Sequence, residues 1–145
     1  KDGVDGAYMI CEMFSYYATR GISLLDKLDE LYKTYGYYLN TLHSYEFDGS
    51  AGFARMQSIM QAFRGGIKEF GGKKVVRLLD YVQGLDGLPK SDVLKFLLED
   101  NCSLVVRPSG TEPKLKIYIS VSADNKEMAE KVEDEIAKTA EKWIC

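Results

Sequence analysis

No two cysteines in this sequence are spaced to hold zinc or to cycle as a redox couple. The three present, Cys11, Cys102 and Cys145, lie far apart and are odd in number, as expected of reduced thiols in a cytoplasmic protein rather than of a disulfide framework. No stretch approaches the ~18 apolar residues of a membrane span, and the first residues lack the apolar core of a signal peptide. The expectation is a soluble, intracellular chain with no membrane partner. Excess positive charge is missing too: the net charge is −3, with 28% of residues charged. A general nucleic-acid binder needs a basic surface to meet phosphate backbones, so nucleic acid is not an expected partner and any anion site must be local. Internal repeats and low-complexity tracts are absent.

What is there is a chain of 145 residues, 46% of them hydrophobic, enough for one ordinary domain to bury a core without staples. It opens at Lys1 rather than Met, which suggests a piece of a longer protein. Residues 5–20 carry the periodicity of a helix, with Ala7, Ile10, Cys11, Phe14, Tyr17 and Ala18 on one face. Tyr8, Met9, Met13 and Tyr16 make much of the opposite face apolar as well, and such a helix expects neighbours on several sides. Asp2-Gly3 and Asp5-Gly6 read as its cap and first turn. Ser23 caps a second helix with Leu24, Leu25, Leu28, Leu31, Tyr32 and Tyr35 on one stripe and Gly36 as its stop. A domain boundary is expected there, giving 1–36 and 37–145.

Beyond it the pattern is α+β. Strands are predicted over 37–47, 74–82, 93–99, 102–107 and 114–121, with Asp100-Asn101 as a hairpin turn. A helix is predicted over 50–64 with Phe53, Met56, Met60 and Phe63 inward. Asp124, with Glu127 three residues on, opens a last helix whose buried stripe is Met128, Val132, Ile136, Ala140 and Trp143. Its charged run over 127–142 reads as a solvated face. The single histidine, His43, lies in a strand and reads as structural. The tyrosines at 16, 17, 32, 35, 37 and 38 read as core and interdomain packing rather than as a stacking platform for bases.

The segment richest in chemistry is Arg107-Pro108-Ser109-Gly110-Thr111-Glu112-Pro113-Lys114, a turn between two strands. Arg107 offers a planar fork for two phosphate oxygens. Ser109 and Thr111 add hydroxyl donors. Gly110 can take positive φ, so that backbone N–H groups converge on an anion. Pro108 and Pro113 restrict the backbone on either side. Arg107, Lys114 and Lys116 against Glu112 leave a local charge of +2 in a chain of −3. Glu112 would repel an anion unless Arg107 or Lys114 holds it aside. The plainer alternative is a surface hairpin in which Ser, Gly, Thr and Pro only satisfy turn chemistry.

This motif, followed by a basic strand, resembles the phosphate-binding signature in the C-terminal domain of the α-phosphohexomutases, the phosphoglucomutase/phosphomannomutase family. Leu88-Pro89-Lys90-Ser91-Asp92-Val93-Leu94-Lys95-Phe96 ahead of it resembles the bacterial phosphoglucomutase branch, as do Lys1-Asp2-Gly3-Val4 and Tyr35-Gly36-Tyr37-Tyr38. The resemblance spans the whole chain. It implies that 1–36 are the last helices of a third, α/β domain and that 37–145 are the fourth domain. That fourth domain would have a TATA-binding-protein-like fold, an antiparallel sheet with helices on one face.

In that family a phosphoserine passes its phosphoryl group to a sugar phosphate, and the bisphosphate then returns its other phosphate to the serine. The C-terminal turn holds the phosphate that is not transferred. Carried over, Arg107, Ser109, Gly110, Thr111 and Lys116 are the phosphate-binding residues, with Lys114 and Glu112 weaker candidates. The phosphoserine, metal and sugar-recognition motifs of the family are missing, so no catalytic or metal-binding residue is expected in this chain. Ser109 has no base beside it, and a serine nucleophile needs one or an equivalent activation. Mg2+ and glucose 1,6-bisphosphate are implied for the whole enzyme, with the sugar phosphate and the N-terminal domains of the same protein as partners. Phosphoglucomutase is the first reading and phosphomannomutase the next. A stand-alone phosphate-binding or interaction module is the alternative from another class.

Overall fold

The computed structural model describes residues 2–110 and 112–144, with only the backbone of Ser50. The chain divides into two compact units, 1–36 and 37–145.

The first unit is two helices, α1 (Gly3–Ala18) and α2 (Leu24–Tyr35). Asp2 caps α1 by accepting from the backbone N–H groups of Val4 and Asp5, so the helix starts two residues ahead of the periodic stretch. Ser23 and Asp26 form a reciprocal capping box at α2, and Gly36 ends it with φ 89°, a conformation that suits glycine. No residue of either helix is buried. Tyr8, Met9, Ile10, Met13, Phe14 and Tyr16 are all exposed, so α1 presents the two-sided apolar surface its sequence announced.

The second unit is α+β. Its antiparallel sheet has the order β1-β6-β5-β4-β3-β2, built from β1 (Tyr37–Glu46), β2 (Glu69–Phe70), β3 (Lys73–Asp80), β4 (Leu94–Leu98), β5 (Ser103–Pro108) and β6 (Lys114–Ala123). The helices α3 (Gly49–Arg64) and α4 (Lys126–Glu141) complete it. Strand alternation decides which face is covered. Leu94, Phe96, Leu98, Leu104, Val106, Leu115, Ile117, Ile119 and Val121 are buried, together with Met56, Ile59, Met60 and Phe63 of α3 and Ile136, Ala137 and Ala140 of α4. Both helices therefore pack on one face of the sheet, as the resemblance implies. α4 lies on β1 and β6 and also touches β2, so the sheet curls around it.

Gly71 makes that closure possible. It takes φ +56°, and a Cβ there would lie 2.6 Å from the backbone nitrogen of Ile136, so only glycine lets the β2–β3 turn seat its backbone on α4. Its N–H donates to Thr139 Oγ1 at 3.1 Å. Across the sheet, Thr41 and His43 both reach Glu133 Oε1, at 2.6 and 2.7 Å, which fastens β1 to α4 and gives His43 the structural role expected of it.

Several expectations need correction. β2 was not predicted, because two residues give no alternation to read. α4 is capped by Asn125, whose side chain accepts from Met128 N–H at 3.0 Å, not by Asp124. Of the expected stripe, Ile136 and Ala140 are buried and Val132 packs against the core, whereas Met128 and Trp143 are exposed and Ala129 and Ala137 are buried instead. Phe53 is exposed because Gly52 occupies the inward position, where a Cβ would meet Phe47 at 2.8 Å. Of the tyrosines read as core and interdomain packing, Tyr37 is packed against the core.

Candidate functional site: the turn between β5 and β6

The register of β5 against β6 pairs Arg107 with Lys116 and Pro108 with Leu115. Val106 and Ile117 point into the core, so Arg107 and Lys116 stand side by side on the helix-free face. Directly opposed residues of an antiparallel pair have Cβ atoms about 4.5–5.5 Å apart, and like charges so placed repel. Among the described residues neither side chain has an ion-pair or hydrogen-bond partner. A pair of cations kept together and unneutralised is an arrangement that an anion would stabilise.

Backbone hydrogen bonds brace the turn itself. Ser109 N–H donates to the Lys114 carbonyl and Lys114 N–H to the Glu112 carbonyl, both at 2.7 Å, while Phe47 N–H donates to the Pro113 carbonyl at 2.9 Å. The last contact ties the turn to the end of β1, where α3 begins. Lys114 Nζ lies 3.1 Å from Glu46 and 3.4 Å from Glu112. Glu46, and then Glu112, beside its ammonium push the Lys114 pKa up. Lys114 is thus committed to two carboxylates and holds Glu112 aside, which weakens Lys114 as a phosphate ligand and removes the objection that Glu112 raised.

The structure brings Arg107, Ser109, Gly110 and Lys116 to one end of the sheet; Thr111 lies outside the described residues. Arg107 and Gly110 are exposed and Ser109 half-buried. One physical expectation fails. Gly110 does not take positive φ, and a Cβ there would meet nothing within 4 Å, so neither strain nor crowding requires glycine in this conformation. The opposition of Arg107 and Lys116 was not read from the sequence, although both lie equally far from the centre of the turn and symmetric hairpin closure would have paired them.

A second loop shares this end of the sheet. β3 ends at Asp80 opposite Leu94, and Leu94 in turn pairs with Val106, so the connection over 81–93 returns beside the turn. Arg64, at the end of α3, anchors it: Nε lies 2.8 Å from Asp80 and one terminal nitrogen 2.6 Å from Asp92. This clamp also escaped the sequence reading, because its three members are distant in the chain. Among the described residues no group of three or more His, Cys, Asp or Glu side chains converges as a metal site would require.

Comparison with known proteins decides the family. The family model for the "Phosphoglucomutase/phosphomannomutase, C-terminal domain" matches residues 47–139, which include the whole turn and both of its strands. The chain belongs to the phosphoglucomutase/phosphomannomutase family. Curated phosphoglucomutases agree. One from Staphylococcus aureus strain MSSA476 is 36% identical over 137 residues, covering 86% of this chain and 25% of the relative. One from Staphylococcus epidermidis is 30% identical over 149 residues, covering 94% and 27%. The chain therefore spans about a quarter of the length of the phosphoglucomutases it matches. Among solved structures, the open form of the exocytosis-sensitive phosphoprotein pp63/parafusin, a phosphoglucomutase from Paramecium, matches with a TM-score of 0.47 and 19% identity, over 84% of this chain and 22% of that one. No helix among the described residues is long and apolar enough to cross a membrane.

Proposed function

We propose that this chain is the phosphate-gripping part of a phosphohexomutase that interconverts glucose 1-phosphate and glucose 6-phosphate through a bisphosphate. In this reading 37–145 bind the sugar's non-transferred phosphate, and 1–36 are the last helices of the preceding domain. The observation that carries the reading is the opposed, unneutralised pair Arg107 and Lys116 beside the braced turn of Ser109 and Gly110, within a segment that matches the family's C-terminal domain. Arg107 meets two phosphate oxygens with its planar fork. Lys116 adds charge, and Ser109 and Thr111 supply hydroxyl donors. Such a grip is remote from the bond that breaks, and its energy helps to hold the reacting end in position.

The phosphoserine, and the Mg2+ that the whole enzyme would use, belong in this reading to residues outside the chain, since the family's phosphoserine and metal motifs do not occur in this sequence. Glucose 1,6-bisphosphate is the expected activator of the whole enzyme, and one of its phosphates would take the same grip. The test is steady-state kinetics on the whole enzyme. Removing a charged donor from a phosphate contact lowers kcat/KM by ~10- to 150-fold, the equivalent of ~1.5–3 kcal/mol, and Arg107→Ala should fall in that range or somewhat beyond. A folded Arg107→Ala enzyme with near-wild-type kcat/KM would leave the hairpin a mere turn.

A further inference from the structure

The helix-free face of the sheet carries more unneutralised cations than Arg107 and Lys116. Successive rows across it can be read from the register. One row runs Ser44, Lys116, Arg107; the next runs Leu42, Tyr118, Val105, Lys95, Leu79; the next runs Asn40, Ser120, Ser103, Leu97, Arg77. Lys116, Arg107, Lys95 and Arg77 thus form a diagonal that steps across four strands, and these three rows contain no carboxylate. Diagonal neighbours on one sheet face lie about 7–8 Å apart, within reach of long side chains. Among the described residues none of the four has an ion-pair partner, whereas Arg64, Lys73, Lys114, Lys126 and Lys138 all do. A chain with net charge −3 has carboxylates to spare, yet this face has none in those rows.

We propose that Lys95 is a further phosphate-binding residue, so that the anion site is a cationic strip on the open sheet rather than the turn alone. Resting on the phosphate-turn reading, it places the phosphate of a sugar phosphate over Arg107 and Lys116, with the Lys95 ammonium reaching it from β4. Arg77, one row further out, adds field but not contact. Coulomb attraction from a cation across a partly hydrated gap of this size changes affinity by about three- to ten-fold, less than the direct fork of Arg107 provides.

The test is titration of the 145-residue chain with inorganic phosphate, followed by backbone amide NMR, on wild type, Lys95→Ala, Lys95→Arg, Arg107→Ala and Lys131→Ala. Lys131 is exposed on α4 and controls for net charge. Expected are a loss of about three- to ten-fold for Lys95→Ala and of at least about ten-fold for Arg107→Ala. Lys95→Arg should recover most of the affinity, and Lys131→Ala should change nothing. If Arg107→Ala weakens binding and Lys95→Ala does not, the turn reading stands and this proposal is wrong. A loss equal in Lys95→Ala and Lys131→Ala shows only bulk charge and also overturns it. A wild-type chain whose amides do not respond to phosphate removes the turn reading and this proposal together.

Discussion

Arg107 and Lys116 sit opposite each other on adjacent strands, which costs the fold some repulsion and offers an anion two cations at once. The two consequences separate experimentally. Lys116→Thr should raise the thermal midpoint of the 145-residue chain slightly, by the equivalent of about 0.2–1 kcal/mol or less, because a β-favouring neutral residue replaces one of two opposed like charges. The same change should weaken phosphate binding. A variant that loses both stability and affinity would show that Lys116 acts through packing instead. The chemistry of the fork predicts a second ordering in the whole enzyme. Arg107→Lys should recover only part of what Arg107→Ala loses, since an ammonium cannot reproduce the two-pronged contact. Ser109→Ala should cost less than either, because a neutral donor is lost and water can stand in for it. Steady-state kinetics that place Ser109→Ala below Arg107→Ala would contradict the assigned roles.

Among elements, the connection over 81–93 depends on Arg64, which links α3 to Asp80 and Asp92. Arg64→Met should destabilise the second unit by about 1.5–3 kcal/mol, as charge-assisted hydrogen bonds are lost from two half-buried carboxylates, and amide exchange over 81–93 should quicken. Burial alone would raise the Asp80 pKa, but the hydrogen bond from Arg64, the backbone N–H of Val82 and the guanidinium charge outweigh it and hold the carboxyl below its ordinary value. A depressed carboxylate contributes stability that is complete above its unfolded pKa of ~3.9 and is lost as pH falls through the folded value. The acid limb of a stability-versus-pH curve should therefore be flatter in Arg64→Met than in wild type, and parallel limbs would refute the coupling. This clamp shows where sequence reading stops. Alternation exposed the buried face of β6 because Leu115, Ile117, Ile119 and Val121 repeat every second residue. Asp100 and Asn101 marked a hairpin because both tolerate the positive φ they adopt. Contacts between residues far apart in the chain, such as Arg64 with Asp80 or His43 with Glu133, leave no local pattern. The cap of α4 was missed by one residue, because Asp124 and Asn125 are both good caps and only the end of β6 at Ala123 decides between them. In the turn the residue types were legible, whereas the Arg107–Lys116 pairing needed the register.

At the scale of the whole molecule, the two units differ in kind. Among the described residues, every buried hydrophobic one, from Phe47 to Ile144, belongs to the second unit, while α1 and α2 bury none. The second unit therefore holds its own core, and the first presents exposed apolar side chains. A chain of 37–145 should unfold cooperatively with a thermal midpoint within about 4 °C of the full chain, a shift of less than ~1 kcal/mol. It should also respond to phosphate as the full chain does, since the strip and the turn lie wholly within it. Neither chain should show mutase turnover, because the proposed nucleophile lies elsewhere in the enzyme. The apolar surface of α1 predicts the opposite dependence for association. Contiguous exposed apolar surface of this kind finds a partner, so light scattering should show the full chain self-associating with rising concentration and the 37–145 chain remaining monomeric. A full chain that stays monomeric at high concentration would mean that the α1 side chains are not available as a docking face. Loss of cooperative unfolding on removing 1–36 would mean that the core of the second unit depends on helices that bury none of their own residues.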